Sequence, residues 1–475
     1  MSVLGTQLDT LRRLRSIEVA GSVAAVRGLS VLVQYLPLPV GSLVRIEAPA
    51  RRRQLATESI RGEVVGFDGD HAVVMLFSGS AGIAPGLRVI GEQSAQTCPV
   101  GDCLLGRILN GMGEPIDGGR PLNDTTLRPL APEPTGALTR RRIDEPLPTG
   151  VAAIDAMVTL GKGQRIGIFS GPGVGKSTLV ASIARHTSAD VNVIALIGER
   201  GREVRDFLES ALGPEGLARS VVIVATGDES PLLRVRAAMV ACTAAEYFRD
   251  LGADVMLMMD SITRFAQAQR QIGLTVGEQP ATKGYTPSVF AMMPRLLERA
   301  GAMSSGGSIT GLYAVLVEGD DLNEPISDAA RGILDGHIAL SRKLASRGHY
   351  PAIDPLESIS RVANDVCDQH HVQARRTLVR LLSAYSESEE LINIGAYARG
   401  SNPDCDVAIA LKPRIDQFLQ QSDREPASYP MVCRQLIELA AEADDLRRKL
   451  EGAAPAATAP NPITNTQSRD RSHAS

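Results

Sequence analysis

The chain has 475 residues and a formal net charge of −4, from 50 Lys and Arg against 54 Asp and Glu. No apolar run reaches the ~18–20 residues of a membrane span, and MSVLGTQLDTLRRLR lacks the basic-then-apolar order of a signal peptide, so a cytoplasmic protein is expected. Near-neutral charge, no Trp and 3% aromatic content argue against a whole-chain polyanion binder and against a stacking surface for single-stranded nucleic acid.

In chain order, Leu4, Leu8, Leu11, Leu14 and Ile17 recur at helical spacing, with Arg12, Arg13 and Arg15 close by. An amphipathic helix over 1–17 is predicted, packed on its own domain or docked on a partner or a membrane surface. From 18 to 92, short β-rich pieces such as LSVLVQYL, LVRIEA and HAVVMLF recur between Gly, Pro and Asp turns, the pattern of a small sandwich or barrel. Residues 93–150 are turn-rich and predict a connector lying against the next domain. Within it, Arg140, Arg141 and Arg142 read as a solvated turn or as a phosphate patch.

From about 151 to 350, apolar runs (QRIGIFSG, VNVIALIGER, SVVIVAT, DVMLMMDS, LYAVLVEG) alternate with helical stretches. Continuous runs suit strands covered on both faces, so a mostly parallel α/β sheet is predicted. After about 355 the pattern turns helical. Val432, Leu436, Leu439, Leu446 and Leu450 mark one face of the last helix, and the Pro- and Ala-rich stretch 452–475 is predicted to be disordered. The six cysteines, Cys98, Cys103, Cys242, Cys367, Cys405 and Cys433, are scattered without a CxxC pair and read as reduced thiols.

SGPGVGKST, residues 170–178, sits between the strand QRIGIF and the helical stretch LVASIARH, the context of a phosphate loop. Gly171, Gly173 and Gly175, with Pro172 and Val174 between them, let backbone N–H groups wrap phosphate oxygens. Lys176 reaches the β- and γ-phosphates, the Ser177 hydroxyl ligates Mg²⁺, and Thr178 lies beside it. The strict pattern has Gly where this chain has Ser170. DVMLMMDS ends a strand in Asp260, placed to hold Mg²⁺ through its water shell. ALIGERGREVRDF brings Glu199 to the same sheet edge, to polarise the attacking water or to cap a helix or pair with Arg200 and Arg202.

The ordered blocks LIGERGREV, LMMDSITRFAQAQRQI, ATKGYTPSVF, GSITGLYAVLVEGDDLNEP, ARGILDGHIALSR and GHYPAIDPLESISRV closely resemble the type III secretion ATPases, most of all the flagellar export ATPases. That family belongs with the catalytic subunits of rotary ATP synthases. The resemblance spans roughly 20–422 and also takes in GRILNGMGEPIDG, RIDEPLPTGVAAID and INIGAYARGSNP. It implies an α/β fold in which a RecA-like P-loop NTPase core lies between an N-terminal β-barrel and a C-terminal helical domain. The expected borders are 1–17 for the first helix, 18–92 for the barrel and 93–355 for the ATPase domain with its connector. The helical domain follows over 356–451 and the tail over 452–475.

The resemblance further implies a homohexameric ring that binds ATP and Mg²⁺ at subunit interfaces. SISR matches the family's arginine-finger motif, which makes Arg361 the residue that a neighbour offers to the γ-phosphate. Tyr350 in GHYP matches a position that stacks on adenine, and FLQQSD shows no second aromatic wall. Residues 317–325 match a loop facing the ring's opening, where Asp320, Asp321 and Glu324 touch a central stalk protein or form a solvated acidic turn. Further partners implied are a stator-like regulator at the first helix, an export-gate membrane protein, and export chaperones with their substrates. The implied location is cytoplasmic, peripheral at the inner-membrane export apparatus. Hydrolysis rather than synthesis is expected, because the chain has no proton-conducting segment.

The rivals are a virulence injectisome ATPase, an RNA translocase of the termination-factor type, and a non-catalytic ring subunit. ATKGYTPSVF and INIGAYARGSNP favour the flagellum over the injectisome. Residues 18–92 offer an RNA only Tyr35, Phe67 and Phe77. Non-catalytic relatives replace the key carboxylate with Gln, whereas this chain has Glu199.

Overall fold

The computed structural model describes residues 18–47, 60–317 and 324–453. Six strands, β1 (Ala20–Arg27), β2 (Ser30–Gln34), β3 (Leu43–Ile46), β4 (Ile60–Asp68), β5 (His71–Leu76) and β6 (Arg88–Gln93), close into a barrel in the order β1-β2-β5-β4-β3-β6. Alternate residues such as Val31 and Val33, or Val74 and Leu76, point inward and fill it. The predicted helix 1–17 lies outside the described residues, and so does nearly all of the tail; the last helix runs to Ala453.

The segment after the barrel is more than a connector. It supplies β7 (Thr97–Val100), β8 (Ile108–Asn110) and β9 (Thr126–Pro129). β7 and β9 pair with each other, while β8 adds a parallel edge to the main sheet. Its three arginines do not form a phosphate patch. Arg140 donates to the carbonyls of Ala300 and Glu298, Arg141 pairs with Glu145 (3.1 Å) and Arg142 with Asp365 (2.6 Å). Arg140 and Arg142 clasp the segment to the domain behind it, while the Arg141 pair lies within the segment.

The main sheet adds β10 (Arg165–Ser170), β11 (Val191–Ile197), β12 (Ser220–Ala225), β13 (Asp254–Asp260), β14 (Gly301–Ala302), β15 (Ser308–Leu316), β16 (Gly336–Leu340) and β17 (Ile353–Ser360). The order is β17-β16-β10-β15-β13-β11-β12-β8, with short β14 on β15. All pairs from β16 to β8 are parallel; β17 and β14 pair antiparallel. The five predicted strands are all present. β8, β16 and β17 escaped the sequence reading because they are short or interrupted by polar residues. β17 carries the expected domain border at 355/356 in its middle, so helical structure starts only at Ala363. As an edge strand, β17 leaves Leu356 and Ile359 37% and 51% exposed.

Period two explains the continuous apolar runs. In β11, Val193, Ala195 and Ile197 enter one core, while Ile194 and Leu196 enter the other. β13 divides likewise, with Leu257 and Met259 against Met256 and Met258. The helix Pro231–Asp250 covers the first face with an alanine-rich stripe, including Ala237, Ala241 and Ala244. The second core continues into the helices Gln369–Asn393, Pro403–Leu419 and Tyr429–Ala453 through Leu378, Leu411 and Leu436. On the last helix Val432, Leu436 and Leu439 are buried as expected, but Leu450 is exposed, because the helix has run past its neighbours.

One buried ion pair fastens these layers. Arg299 donates two hydrogen bonds to Glu246 (both 2.7 Å) and further ones to Leu130 O (2.8 Å) and Thr243 (2.9 Å). Glu246→Ala strands that guanidinium, so a loss of about 3–5 kcal/mol is expected, read as an earlier urea unfolding transition. Arg299→Met added to it should recover part of the loss. An unchanged transition in Glu246→Ala would show that the pair is dispensable.

Candidate active site

Strand β10 ends at Ser170, the chain turns through Gly171–Gly175, and the helix Lys176–His186 starts at once. Gly173 (φ +77°) and Gly175 (φ +98°) take left-handed backbone that side chains disfavour. Ser170, by contrast, is still in register with Leu316 on β15, so this position makes no demand for glycine. Val174 is buried, while Pro172, Ser177 and Thr178 face outward at the helix N-terminus, where unpaired N–H groups and the helix dipole favour an anion.

Parallel register brings the other expected groups to the same edge. Leu196 on β11 lies opposite Asp260 on β13, and Asp260 lies opposite Ala314 on β15. Asp260 is only 4% exposed, and its Oδ1 accepts a hydrogen bond from Lys176 Nζ. Glu199 follows two residues after β11. Burial, and then the charge of Asp260, push its carboxyl up to about 7 against the opposing pull of Lys176 and Arg264. Lys176, Asp260 and Glu199 therefore form one buried charged cluster.

Two members of this cluster were missed in the sequence. Arg264, on the first turn of the helix Ile262–Thr275, places Nε 3.3 Å from Glu199 Oε1. Gly198 (φ +72°) makes room for it, since a Cβ there would lie 2.7 Å from Arg264 Cδ. Glu203 shares a hydrogen bond with Glu199. No spacing in the sequence signals either residue, because Asp260 ends a strand and Arg264 lies on the helix that follows it.

Tyr350 is 47% exposed and packs over Gly175, where a Cβ would stand 3.6 Å from the ring. It lines a cavity of about 310 Å³ with Val174, Pro351, Gln421 and Asp423. The wall facing the tyrosine comes from the C-terminal domain and is not aromatic.

Arg361 is not part of this cluster. Because β17 runs antiparallel, Ser360 pairs with Gly336 at the start of β16, and Arg361 N–H donates to Asp335 O. Asp335 also binds Arg165, the first residue of β10. The phosphate loop opens five residues up that strand, roughly 17 Å away at ~3.3 Å per residue. Arg361 is exposed, and its guanidinium donates to Arg331 O at 3.5 Å.

Within the expected 317–325 loop, Asp320 and Asp321 lie outside the described residues. Glu324 Oε2 accepts from Ile326 N–H (3.0 Å) and Ser327 N–H (3.1 Å) and caps the helix Pro325–Ile333. Among the described residues, no group of three or more His, Cys, Asp or Glu could hold a metal unaided. Asp260 with the exposed Ser177 hydroxyl suits a cation that shares its shell with phosphate oxygens and water.

Three family descriptions match this chain. They are the ATP synthase alpha/beta family beta-barrel domain over 18–92, its nucleotide-binding domain over 150–360, and the T3SS EscN ATPase C-terminal domain over 367–438. The flagellum-specific ATP synthase of Treponema pallidum is 51% identical, covering 88% of this chain and 92% of the relative. That of Bacillus subtilis is 49% identical, covering 88% and 95%. The type 3 secretion system ATPase of Xanthomonas euvesicatoria is 48% identical, covering 86% and 91%. The assembled ATPase EscN of enteropathogenic E. coli superposes with TM-score 0.81 at 41% identity, over 88% of this chain and all of EscN. EscN is also solved in complex with its central stalk EscO, TM-score 0.81 at 40% identity, again over 88% of this chain and all of EscN. No helix among the described residues is long and apolar enough to cross a membrane. A nucleotide-binding fold and a charged cluster at the sheet edge thus coincide with similarity over most of the chain: the chain is an ATPase that belongs to the type III secretion and flagellum-specific branch of the ATP synthase alpha/beta family.

Proposed function

We propose that this chain hydrolyses MgATP as a homohexameric ring in a flagellar protein export apparatus, at the cytoplasmic face of the inner membrane. The observation that carries the reading is the convergence of Lys176, Asp260 and Glu199 at one sheet edge, with Arg361 at the far end of the same sheet. The flagellum-specific names of relatives at 51% and 49% identity support the flagellar assignment. A central stalk partner, a stator-like regulator, an export gate and chaperone-bound substrates complete the proposed setting; the EscN–EscO complex supports the stalk.

In this reading the loop amides of 171–175 and Lys176 bind the β- and γ-phosphates. Ser177 and Asp260, the latter through water, would hold a magnesium ion, which neutralises phosphate charge when bound. Lys176 leaves Asp260 for the phosphate, and Thr178 sits beside it at the helix start. Glu199 orients a water in line with the bond from γ-phosphorus to the bridging oxygen. As the water oxygen bonds to phosphorus, that bridge breaks, ADP leaves with its electron pair, and Glu199 accepts the water proton. Tyr350 holds the base over Gly175. Arg361 of the neighbouring subunit offsets the charge that develops on the γ-phosphate.

Two predictions follow from Glu199. Glu199→Gln should retain ATP binding and lose ~10²–10⁴ in turnover. A carboxyl held near 7 is protonated in acid and an effective base only above that pH, so kcat/KM of the native protein should fall as pH drops below about 7. A flat kcat/KM profile between pH 5.5 and 8, or near-normal turnover by Glu199→Gln, would remove the base role.

The finger is tested by mixing. Lys176→Ala and Arg361→Ala should each be inactive alone, the latter by ~10³–10⁵. In randomly mixed rings about a quarter of the interfaces regain both groups, and activity should reappear. Rings confirmed as mixed by mass yet silent, or an active Arg361→Ala protein, would remove the finger in trans.

A further inference from the structure

Arg361 is exposed, yet the backbone that carries it is held by a buried amide. Gln164 stands one residue before β10 and is wholly buried. Its Oε1 accepts from Gly161 N–H (3.0 Å), and its Nε2 donates to Asp335 O (3.3 Å) and to Ser360 Oγ (3.0 Å). Both N–H groups of the amide are thereby used. They reach the two sides of the Ser360–Arg361 peptide: Asp335 O is the oxygen that also accepts from Arg361 N–H (2.9 Å), and Ser360 is the residue before it.

The frame around this amide leaves little play. Ser360 Oγ donates its one proton to Thr159 O (2.9 Å), which leaves a lone pair for Gln164. The Asp335 carboxylate accepts from Arg165 N–H and Nε (both 3.0 Å) and from Arg165 Nη2 (3.2 Å), so Asp335 is fixed to the first residue of β10. The guanidinium of Arg361, by contrast, makes its bond to Arg331 O at a long 3.5 Å. A long, exposed side chain arrives at one point in space only if its backbone is already fixed. An apolar residue would fill the space of Gln164 equally well, whereas a fully satisfied buried amide imposes a single geometry on its partners.

We propose that Gln164 is the positioning residue of the finger: it sets the Ser360–Arg361 backbone so that the guanidinium meets the γ-phosphate held by the neighbouring subunit. The proposal rests on the reading of Arg361 as a finger in trans and adds what aims it. Because β10 runs on into the phosphate loop, one strand then serves two sites, its own through the loop and the neighbour's through Gln164.

The test uses rings of the full chain and asks which partner rescues Gln164→Met, a change that keeps the volume and removes every hydrogen bond of the amide. Alone, this protein should bind ATP as tightly as the native chain and turn it over about 10²-fold more slowly, the scale of a small misplacement. Mixed with Lys176→Ala it should regain activity, since about a quarter of the interfaces then join its intact loop to a well-aimed finger. Mixed with Arg361→Ala it should gain nothing, because both subunits then lend a defective finger. Rescue by Arg361→Ala instead would place the damage in the phosphate loop of the same subunit, and rescue by neither would show a general structural role; either outcome overturns the proposal. The mixture of Lys176→Ala with Arg361→Ala is run alongside. If that mixture is silent, the finger reading fails and this inference falls with it; if it is active, any failure belongs to Gln164. Should Gln164→Met not assemble, Gln164→Glu decides. It keeps the acceptor for Gly161 N–H but has at most one proton where the amide has two, so it must behave in the mixtures as Arg361→Ala does.

Discussion

Burial of the central strands on both faces is the constraint from which the site follows. Inside β10, β11 and β13, side chains enter one apolar core or the other, and no unpaired charge is tolerated there. Charge is admitted only where the strands end. Parallel pairing aligns those ends on one edge, so Ser170, Glu199 and Asp260 emerge together although they are far apart in sequence. The lysine of the loop and the aspartate of the neighbouring strand pair with each other.

Antiparallel pairing of a single strand has the opposite result. β17 carries its terminal arginine to the wrong end of its own sheet and leaves it facing solvent. The division between groups collected at one edge and a group sent to the other is written in strand direction, not in the residues themselves. The C-terminal domain adds a third element, since Gln421 joins it to Gly150, Ala152 and Tyr350 across the mouth of the cavity.

Much of this was legible in the sequence. The five strongly apolar strands, the glycine loop and the carboxylates at strand ends follow from local pattern, because two-sided burial leaves a continuous apolar signature. The strands β8, β16 and β17 at the two margins of the sheet did not announce themselves. One of their faces is not deeply buried, and ILN or IDPLESIS lacks a clean period. Arg264 and Glu203 were missed for another reason: their place beside Glu199 depends on how helices leave the sheet, which spacing alone does not give. Arg140–Arg142 illustrate the limit from the other side, since a run of charge says nothing about whether its partners are water or protein carbonyls.

The exposed edge of β17 bears on how the protein must be handled by the cell. Its outer side leaves Leu356 and Ile359 exposed, while Asp354 Oδ1 accepts from Leu356 N–H (3.0 Å) and Glu357 N–H (3.4 Å) and so occupies part of the backbone that an extended chain could pair with. Proline at 355 and the charge of Glu357 blunt it, but only in part. A protomer with that strip uncovered is open to misassociation, and the more so the higher its concentration.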